Sequence, residues 1–398
     1  MTNRNVNRRT FMQASSASAA AMMVGTSSRV FGANDRIRLA QIGLGGRGTS
    51  DLKSYARITD FEIVSLCDLI QQKVDRGIGV AKEDGHKPEG FVDFRKMLDK
   101  GNLDAVVVCT EVGNHAKCVV PILEANLHCF SEKPMDCTVE KVDAIVKAAR
   151  KSKGIYQVGF QRRYNPTFLK TIAEAQSDRF GNITFLQGHW YFPGQPGGWV
   201  MDVELSGGKL VEQACHHMDV MTWVMGTHPA KCSAMGAITV EYKPTQRYPQ
   251  LPPHLAEDHS SLSFQFPNGV ILSYTHFSCM PADLCMAKME KLGEGPGEKL
   301  WVFKDEGLVD LAQGTLHPRK GEIVRAADAT DYYNGSFQQF EQFAQHIRKN
   351  EKPNSNVETA RLATLTALMG HQAMYNREKR KYEPGTIEWK DLGSTTEI

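Results

Sequence analysis

The sequence predicts an α/β fold: a doubly wound parallel sheet in the N-terminal part, then an α+β domain with a large, mostly antiparallel open sheet. Three observations lead there. Residues 36 to 160 alternate short apolar runs with amphipathic segments, the pattern of βαβ units. A glycine-rich turn, Gly43-Leu44-Gly45-Gly46-Arg47-Gly48, follows the first strand-like run. From about Ile183 the texture changes to longer strands of alternating polarity.

In chain order, Leu39–Ile42, Glu62–Cys67, Ala105–Cys109, His128–Phe130 and Tyr156–Val158 are the first set of strands. Amphipathic segments such as Val119–Ala125 and Val142–Ala149 lie between them, so right-handed crossovers build a parallel sheet. The second set is Ile183–Phe192, Lys231–Val240, Ser260–Phe266, Val270–Phe277 and Leu300–Lys304. Pro267-Asn268-Gly269 is a hairpin turn between two of these, and the Pro/Tyr-rich Lys243–Pro253 segment reads as a long loop or arm. Two helices close the chain. Phe337, Phe340, Phe343 and Ile347 share one face of the first, and Ser355-x-x-Glu358 is a capping box for the second, ahead of Leu362, Leu365 and Met369. The expected division is 1–33 leader, 34–160 and 161–398, with the last helices free to pack back on the first domain.

The 398 residues suffice for two domains, and 41% hydrophobic with 23% charged residues is ordinary for a globular protein. Asn7-Arg8-Arg9-Thr10-Phe11-Met12 is a twin-arginine start, followed by an uncharged Ala/Ser/Met-rich stretch to Ser28. That reads as a signal for export of the folded protein to the periplasm or cell envelope, with cleavage or retention as an anchor both open. The leader's four arginines account for the net charge of +2; without them it is −2, so there is no basic excess for nucleic acid. After the leader no run is long enough to span a membrane. Nine cysteines without metal-like spacing read as small buried hydrophobes.

G-x-G-x-x-G after a strand, with Asp68 ending the next strand twenty residues past Gly48, is the arrangement of a Rossmann dinucleotide site. Gly43, Gly45, Gly46 and Gly48 permit a tight turn and close approach to the pyrophosphate at a helix N-terminus. Asp68 would accept the adenine-ribose hydroxyls and repel a 2′-phosphate, which favours NAD over NADP. Arg47, inside the loop, is a further expected cofactor contact and the feature that softens that preference.

Ser131-Glu132-Lys133-Pro134 places Lys133 at the carboxyl edge of the parallel sheet, where ligands bind in such folds. Downstream stands Gly207-Gly208-Lys209-Leu210-Val211-Glu212-Gln213-Ala214-Cys215-His216-His217-Met218-Asp219. As one helix it would carry Glu212, His216 and Asp219 on one face. Together these motifs resemble the Gfo/Idh/MocA oxidoreductases, sugar and inositol dehydrogenases, over roughly residues 36 to 375. The resemblance implies that Lys133 hydrogen-bonds the reacting hydroxyl and that His216 is the acid/base. Glu212 stands where most members have Asp. The family's T-P-N-x-x-H reads here Thr110-Glu111-Val112-Gly113-Asn114-His115, so Thr110 and His115 match as cofactor contacts beside Glu132 and Lys133, while Pro and Asn are replaced. A homo-oligomer through the second sheet is a further family expectation.

The chemistry agrees. Oxidising a secondary alcohol needs a base for the hydroxyl proton, and imidazole suits that near neutrality. A neighbouring ammonium stabilises alkoxide character. Glu212 would orient His216 or bind a neighbouring hydroxyl. His189-Trp190-Tyr191-Phe192 and the Gly/Pro loop ending at Trp199 could wall a sugar pocket, or simply pack. Arg163 or Tyr164, in Gln161-Arg162-Arg163-Tyr164, is the expected substrate contact, with Trp199 and His217 as further substrate-binding candidates; for His217 a second-sphere or packing role is favoured over a metal. The expectation is an exported oxidoreductase with tightly held NAD acting on a carbohydrate carbinol or ketone. The alternative is a redox-neutral glycosidase resembling NAD-dependent α-N-acetylgalactosaminidases.

Overall fold

A computed structural model describes residues 35–193, 197–244, 249–280, 297–327 and 334–396. The expected twin-arginine leader lies outside the described residues, as do 194–196 of the Gly/Pro loop and 245–248 of the Pro/Tyr-rich segment.

Strands β1 (Ile37–Ile42), β2 (Phe61–Cys67), β3 (Glu89–Phe91), β4 (Ala105–Val108), β5 (His128–Ser131) and β6 (Tyr156–Val158) form a wholly parallel sheet in the order β3-β2-β1-β4-β5-β6. Its central strands are near-continuous apolar runs because helices cover both faces; all four residues of β4 are buried. The helices are α1 (Gly46–Tyr55), α2 (Gln71–Glu83), α3 (Phe94–Asp99), α4 (His115–Glu124) and α5 (Val139–Lys151). Asp93 and Thr138 cap α3 and α5. Strand order reverses between β1 and β4, which opens a crevice at their carboxyl ends. The edge strand β3 is only three residues long, Glu89-Gly90-Phe91, and carries no apolar run, which is why sequence pattern missed it.

Helix α6 (Pro166–Gln176), capped by Asn165 with Pro166 at its first position, leads into the second sheet. That sheet comprises β7 (Ile183–Pro193), β8 (Lys231–Ala237), β9 (His259–Gln265), β10 (Ile271–Met280), β11 (Glu298–Lys304), β12 (Gly307–Asp310), β13 (Thr315–Pro318), β14 (Val324–Arg325) and β17 (Gly385–Glu388). The order is β14-β13-β12-β11-β7-β10-β9-β8-β17, antiparallel except for the parallel pair β7/β10. The β9/β10 hairpin turns at Gly269, which adopts φ +88°. β8 stops at Ala237 rather than Val240, because the Asp258 carboxylate takes the N–H groups of Thr239 and Val240.

Between β7 and β8 lie α7 (Val203–Ser206), α8 (Lys209–Glu212) and α9 (Cys215–Met225). Helices α10 (Asn334–Lys349) and α11 (Val357–Met374) follow β14, but they do not close the chain. The ribbon β15 (Tyr375–Asn376)/β16 (Lys381–Tyr382) and then β17 come after them. α10 lies on the first sheet's helical layer: Phe340 packs on Tyr55 and Phe130, and Phe343 on Phe61 and Phe130. Each such ring contributes about 1.5–3 kcal/mol by burial. Phe337, a turn earlier, is left exposed. Asn356, not Ser355, caps α11, accepting from the N–H groups of Glu358 and Thr359; the Glu358 carboxylate instead pairs with Arg150. One apolar core runs from Val108 and Val158 through Met218 and Leu368 to Leu272, joining the two sheets. Cys67, Cys109, Cys118, Cys129, Cys137, Cys215 and Cys232 are free, and no helix among the described residues is long and apolar enough to cross a membrane.

Candidate active site

The glycine-rich turn is held from below. The buried Gln41 amide donates to the carbonyls of Gly43 (2.7 Å) and Gly48 (2.8 Å), and Tyr55 donates to its oxygen. A Cβ on Gly43 would lie 2.4 Å from the Cys109 carbonyl, and one on Gly48 2.2 Å from the Gly43 carbonyl, so both positions demand glycine. A Cβ on Gly45 or Gly46 would meet nothing within 4 Å. That open surface faces the N-terminus of α1, which has no capping side chain and no acid in its first turn. Its free N–H groups and positive dipole end suit a pyrophosphate.

Asp68 accepts from the N–H groups of Leu44 (2.8 Å) and Ile70 (3.0 Å), which fixes its carboxylate at the end of β2. Losing a charged hydrogen-bond acceptor costs about 1.5–3 kcal/mol. Asp68→Ala is therefore expected to weaken NADH binding about tenfold or more and to erase discrimination against NADPH, read by fluorescence titration with both. An unchanged preference would contradict the assignment. Arg47 does not flank Asp68: its guanidinium donates to Glu132 (2.8 and 2.9 Å) and Gln161 (3.2 Å) and pairs with Asp51 (3.1 Å). Two buried carboxylates claim the cation that the sequence reading placed on the cofactor.

Thr110 lies partly exposed at the end of β4. His115 is buried, its ring between the carbonyls of Thr110 (3.3 Å) and Pro134 (2.8 Å). It therefore staples the 110–115 loop to the turn after β5 instead of meeting a cofactor directly. In that turn the Lys133 Nζ donates to the Glu212 carbonyl (2.6 Å) and carboxylate (3.2 Å). Glu212 thus orients Lys133, not His216.

The expected single helix is broken. α8 ends at Glu212 and α9 starts at Cys215, after Gly207 and Gly208 at positive φ. His216 is buried beside Phe160 and Trp190, and its Nδ1 has no hydrogen-bond partner among the described residues. Burial first, then the positive charges of Lys133 and Arg162, hold its pKa well below the usual imidazole range. The ring is a neutral acceptor near neutrality. Asp219 leaves the site altogether and pairs with Arg163 at 2.7 Å.

That pair removes Arg163 from the substrate: its guanidinium sits between Asp219 and the Trp223 ring. Tyr164 is buried and accepts from the Ser355 N–H (3.2 Å). His217 is fully buried, donating from Nε2 to Glu298 (2.7 Å) and accepting at Nδ1 from Tyr274 (2.9 Å). These three are corrected to packing roles. Period-2 alternation along β7 turns Trp190 inward, stacked on His217, and leaves His189 and Tyr191 stacked on the outer face. Trp199, in the short Gly198–Met201 turn, stays partly exposed. No set of three or more metal-ligating side chains occurs among the described residues.

Sequence reading missed the buried pair under Trp190: Arg162 meets Glu298 at 2.5 Å and lies over the Trp190 ring. A charge opening an otherwise alternating strand, as Glu298 does in β11, was the available signal. Burial pushes the Glu298 carboxyl up, but Arg162 and His217 outweigh it and hold it at about 2. Its stabilisation is therefore full above the usual carboxylate range and is lost as pH falls towards 2. Arg162→Met, which strands that carboxylate, is expected to cost about 3–5 kcal/mol in urea unfolding at neutral pH. A loss under 1 kcal/mol would show the pair to be incidental.

Residues 37–160 match the family model described as "Oxidoreductase family, NAD-binding Rossmann fold", and residues 168–295 match the "GFO/IDH/MocA C-terminal domain". The chain is 25% identical over 206 residues to a myo-inositol 2-dehydrogenase of Thermotoga maritima, covering 52% of this chain and 60% of that protein. It is 33% identical over 156 residues to an α-N-acetylgalactosaminidase of Bacteroides fragilis, covering 38% and 37%. It thus spans less than two thirds of the length of these curated relatives. Among solved structures, a levoglucosan dehydrogenase in complex with NADH and levoglucosan superposes with TM-score 0.71 at 15% identity, over 88% of this chain and 99% of that one, a likeness of fold. With a cradle shaped for a dinucleotide and both domain models matched in order, the chain belongs to the Gfo/Idh/MocA family of oxidoreductases, and its N-terminal domain is an NAD-binding Rossmann domain.

Proposed function

We propose that the protein transfers hydride between NAD and a carbinol or ketone carbon of a sugar or cyclic polyol, with Lys133 and His216 at the reacting oxygen. One observation carries this reading. Lys133, in the turn after β5, is held on the carbonyl and carboxylate of Glu212, four residues before buried His216, whose pKa burial and the Lys133 charge lower. Bound NAD supplies the hydride acceptor. His216 takes the hydroxyl proton on a ring that burial keeps unprotonated, while the Lys133 ammonium, tethered by Glu212, stabilises the developing alkoxide. Trp199, which is partly exposed, offers a flat apolar wall to a sugar ring. The relatives named for inositol and levoglucosan support a cyclic polyol or sugar as the substrate class.

The test is incubation with NAD⁺ and a panel of cyclic polyols, aldoses and aryl glycosides, following nicotinamide absorbance and glycoside cleavage together. NADH formed with a polyol or sugar supports the reading; no response from any member overturns it. The match to an α-N-acetylgalactosaminidase favours one second reading. There a ketone made by oxidation acidifies the neighbouring C–H, the glycosidic bond is eliminated, water adds, and hydride returns, so cleavage proceeds with no net NADH. Cleavage without NADH accumulation would select it.

The twin-arginine leader supports export of the folded, loaded protein to the periplasm or envelope. NAD would then travel inside it, and exchange with added labelled NAD⁺ is expected to be slower than turnover; rapid equilibration would contradict this. The half-exposed aromatic outer face of the second sheet, with Tyr191, Phe277, Phe185, Phe303 and Trp301, supports a homo-oligomer. Sedimentation as a monomer would overturn that.

A further inference from the structure

Arg47 stands in the first turn of α1, whose N–H groups line the cradle, yet its guanidinium serves other groups. Nε and Nη2 donate to Glu132 Oε1, Nη2 reaches Gln161 Oε1, and Nε lies 3.1 Å from Asp51 Oδ1. Glu132 is 5% exposed and Asp51 1% exposed, so both carboxyl groups meet the guanidinium away from water. Behind Glu132 the space is closed: a Cβ on Gly159 would sit 2.9 Å from Oε1. The other oxygen, Oε2, accepts from the Lys133 N–H at 3.2 Å. Lys133 Nζ in turn reaches the Glu212 carbonyl and carboxylate. An unbroken series of polar contacts therefore runs from the dinucleotide turn to the amine.

We propose that Arg47 is a positioning residue for Lys133: by pinning Glu132 it fixes the 131–134 turn, so that the phosphate cradle and the amine form one rigid unit. The planar fork of arginine matters, since it bridges Glu132 and Asp51 at once. A lysine would hold one of them as a point charge. This rests on Lys133 being the reacting amine, but its test needs no turnover.

The test is competitive trace acetylation with acetic anhydride. The rate at Lys133 is measured by peptide mass spectrometry relative to exposed Lys243, in wild type, Arg47→Met, Arg47→Lys and Glu132→Gln, with and without NADH. Lys133 is expected to label about tenfold faster in Arg47→Met, the size of one charge-assisted hydrogen bond lost between the amine and Glu212. Arg47→Lys should fall between the two, and the Arg47→Met/Glu132→Gln double variant should label no faster than Arg47→Met alone, since both act through one path. An unchanged Lys133 rate in Arg47→Met overturns the proposal. So does a loss of NADH affinity with unaltered labelling, which would assign Arg47 to the cofactor itself. If Arg47→Met does not melt cooperatively, unchanged labelling in both Arg47→Lys and Glu132→Gln overturns it equally. A wild type that oxidises no sugar would undo the proposed function and leave this result standing.

Discussion

Lys133→Met is expected to keep NADH bound and to slow hydride transfer about a thousandfold. Methionine keeps the unbranched apolar length of the side chain, so the turn after β5 has little reason to rearrange. What disappears is the charge: the ammonium that Glu212 holds by its carbonyl and carboxylate, and that would face the developing alkoxide. Removing such a preorganised charge from a water-poor site costs about 10²–10³ in rate, and disturbing the proton transfer beside it adds to that. The check has two readouts, NADH affinity by fluorescence and single-turnover rate at saturating cofactor. Unimpaired turnover would remove Lys133 from the reacting oxygen. Loss of NADH binding with an unchanged rate at saturation would make it a cofactor ligand only.

His216→Asn is expected to lower the oxidation rate by about 10²–10⁴ and to abolish its acid limb. The sign follows from the burial of the ring. Its pKa lies well below the ordinary imidazole value, with burial the leading cause and the charges of Lys133 and Arg162 adding to it. The base form therefore persists through neutral and alkaline pH, and wild-type oxidation should be flat there and fall only in acid. Ketone reduction, which needs the imidazolium, should run the other way and rise as pH drops. A wild-type midpoint near the usual imidazole pKa of about 6.5, or an acid limb that survives in His216→Asn, would contradict this placement.

What was legible in the sequence was what depends on local pattern. The G-x-G-x-x-G turn with Asp68, the apolar parallel strands and the Pro267-Asn268-Gly269 hairpin stand where the pattern put them, because each needs only near neighbours. The same holds for Lys133 at the edge of β5. Failures came where distant groups compete. Arg163 looked free beside the last parallel strand, but Asp219, 56 residues on, claims it. Arg47 looked like a cofactor contact until Glu132 and Asp51 met it. The i, i+4 spacing of Glu212 and His216 presumed one helix, and the break between Glu212 and Cys215 sent the Glu212 carboxylate to Lys133. β12, β14 and β17 are too short for alternation to stand out, and their places depend on neighbours in the sheet. The inward turn of Trp190 against outward His189 and Tyr191 was available from period 2 alone.

Isotope transfer tests the central claim most directly. Polyols and sugars carrying deuterium at the carbinol carbons are incubated with the protein and NAD⁺, and the nicotinamide recovered after denaturation is analysed by mass spectrometry. Hydride transfer at Lys133 and His216 predicts deuterium in the recovered NADH with wild type and none above background with Lys133→Met or His216→Asn. Nicotinamide free of deuterium across the whole panel, from wild-type protein that binds NADH, would contradict it.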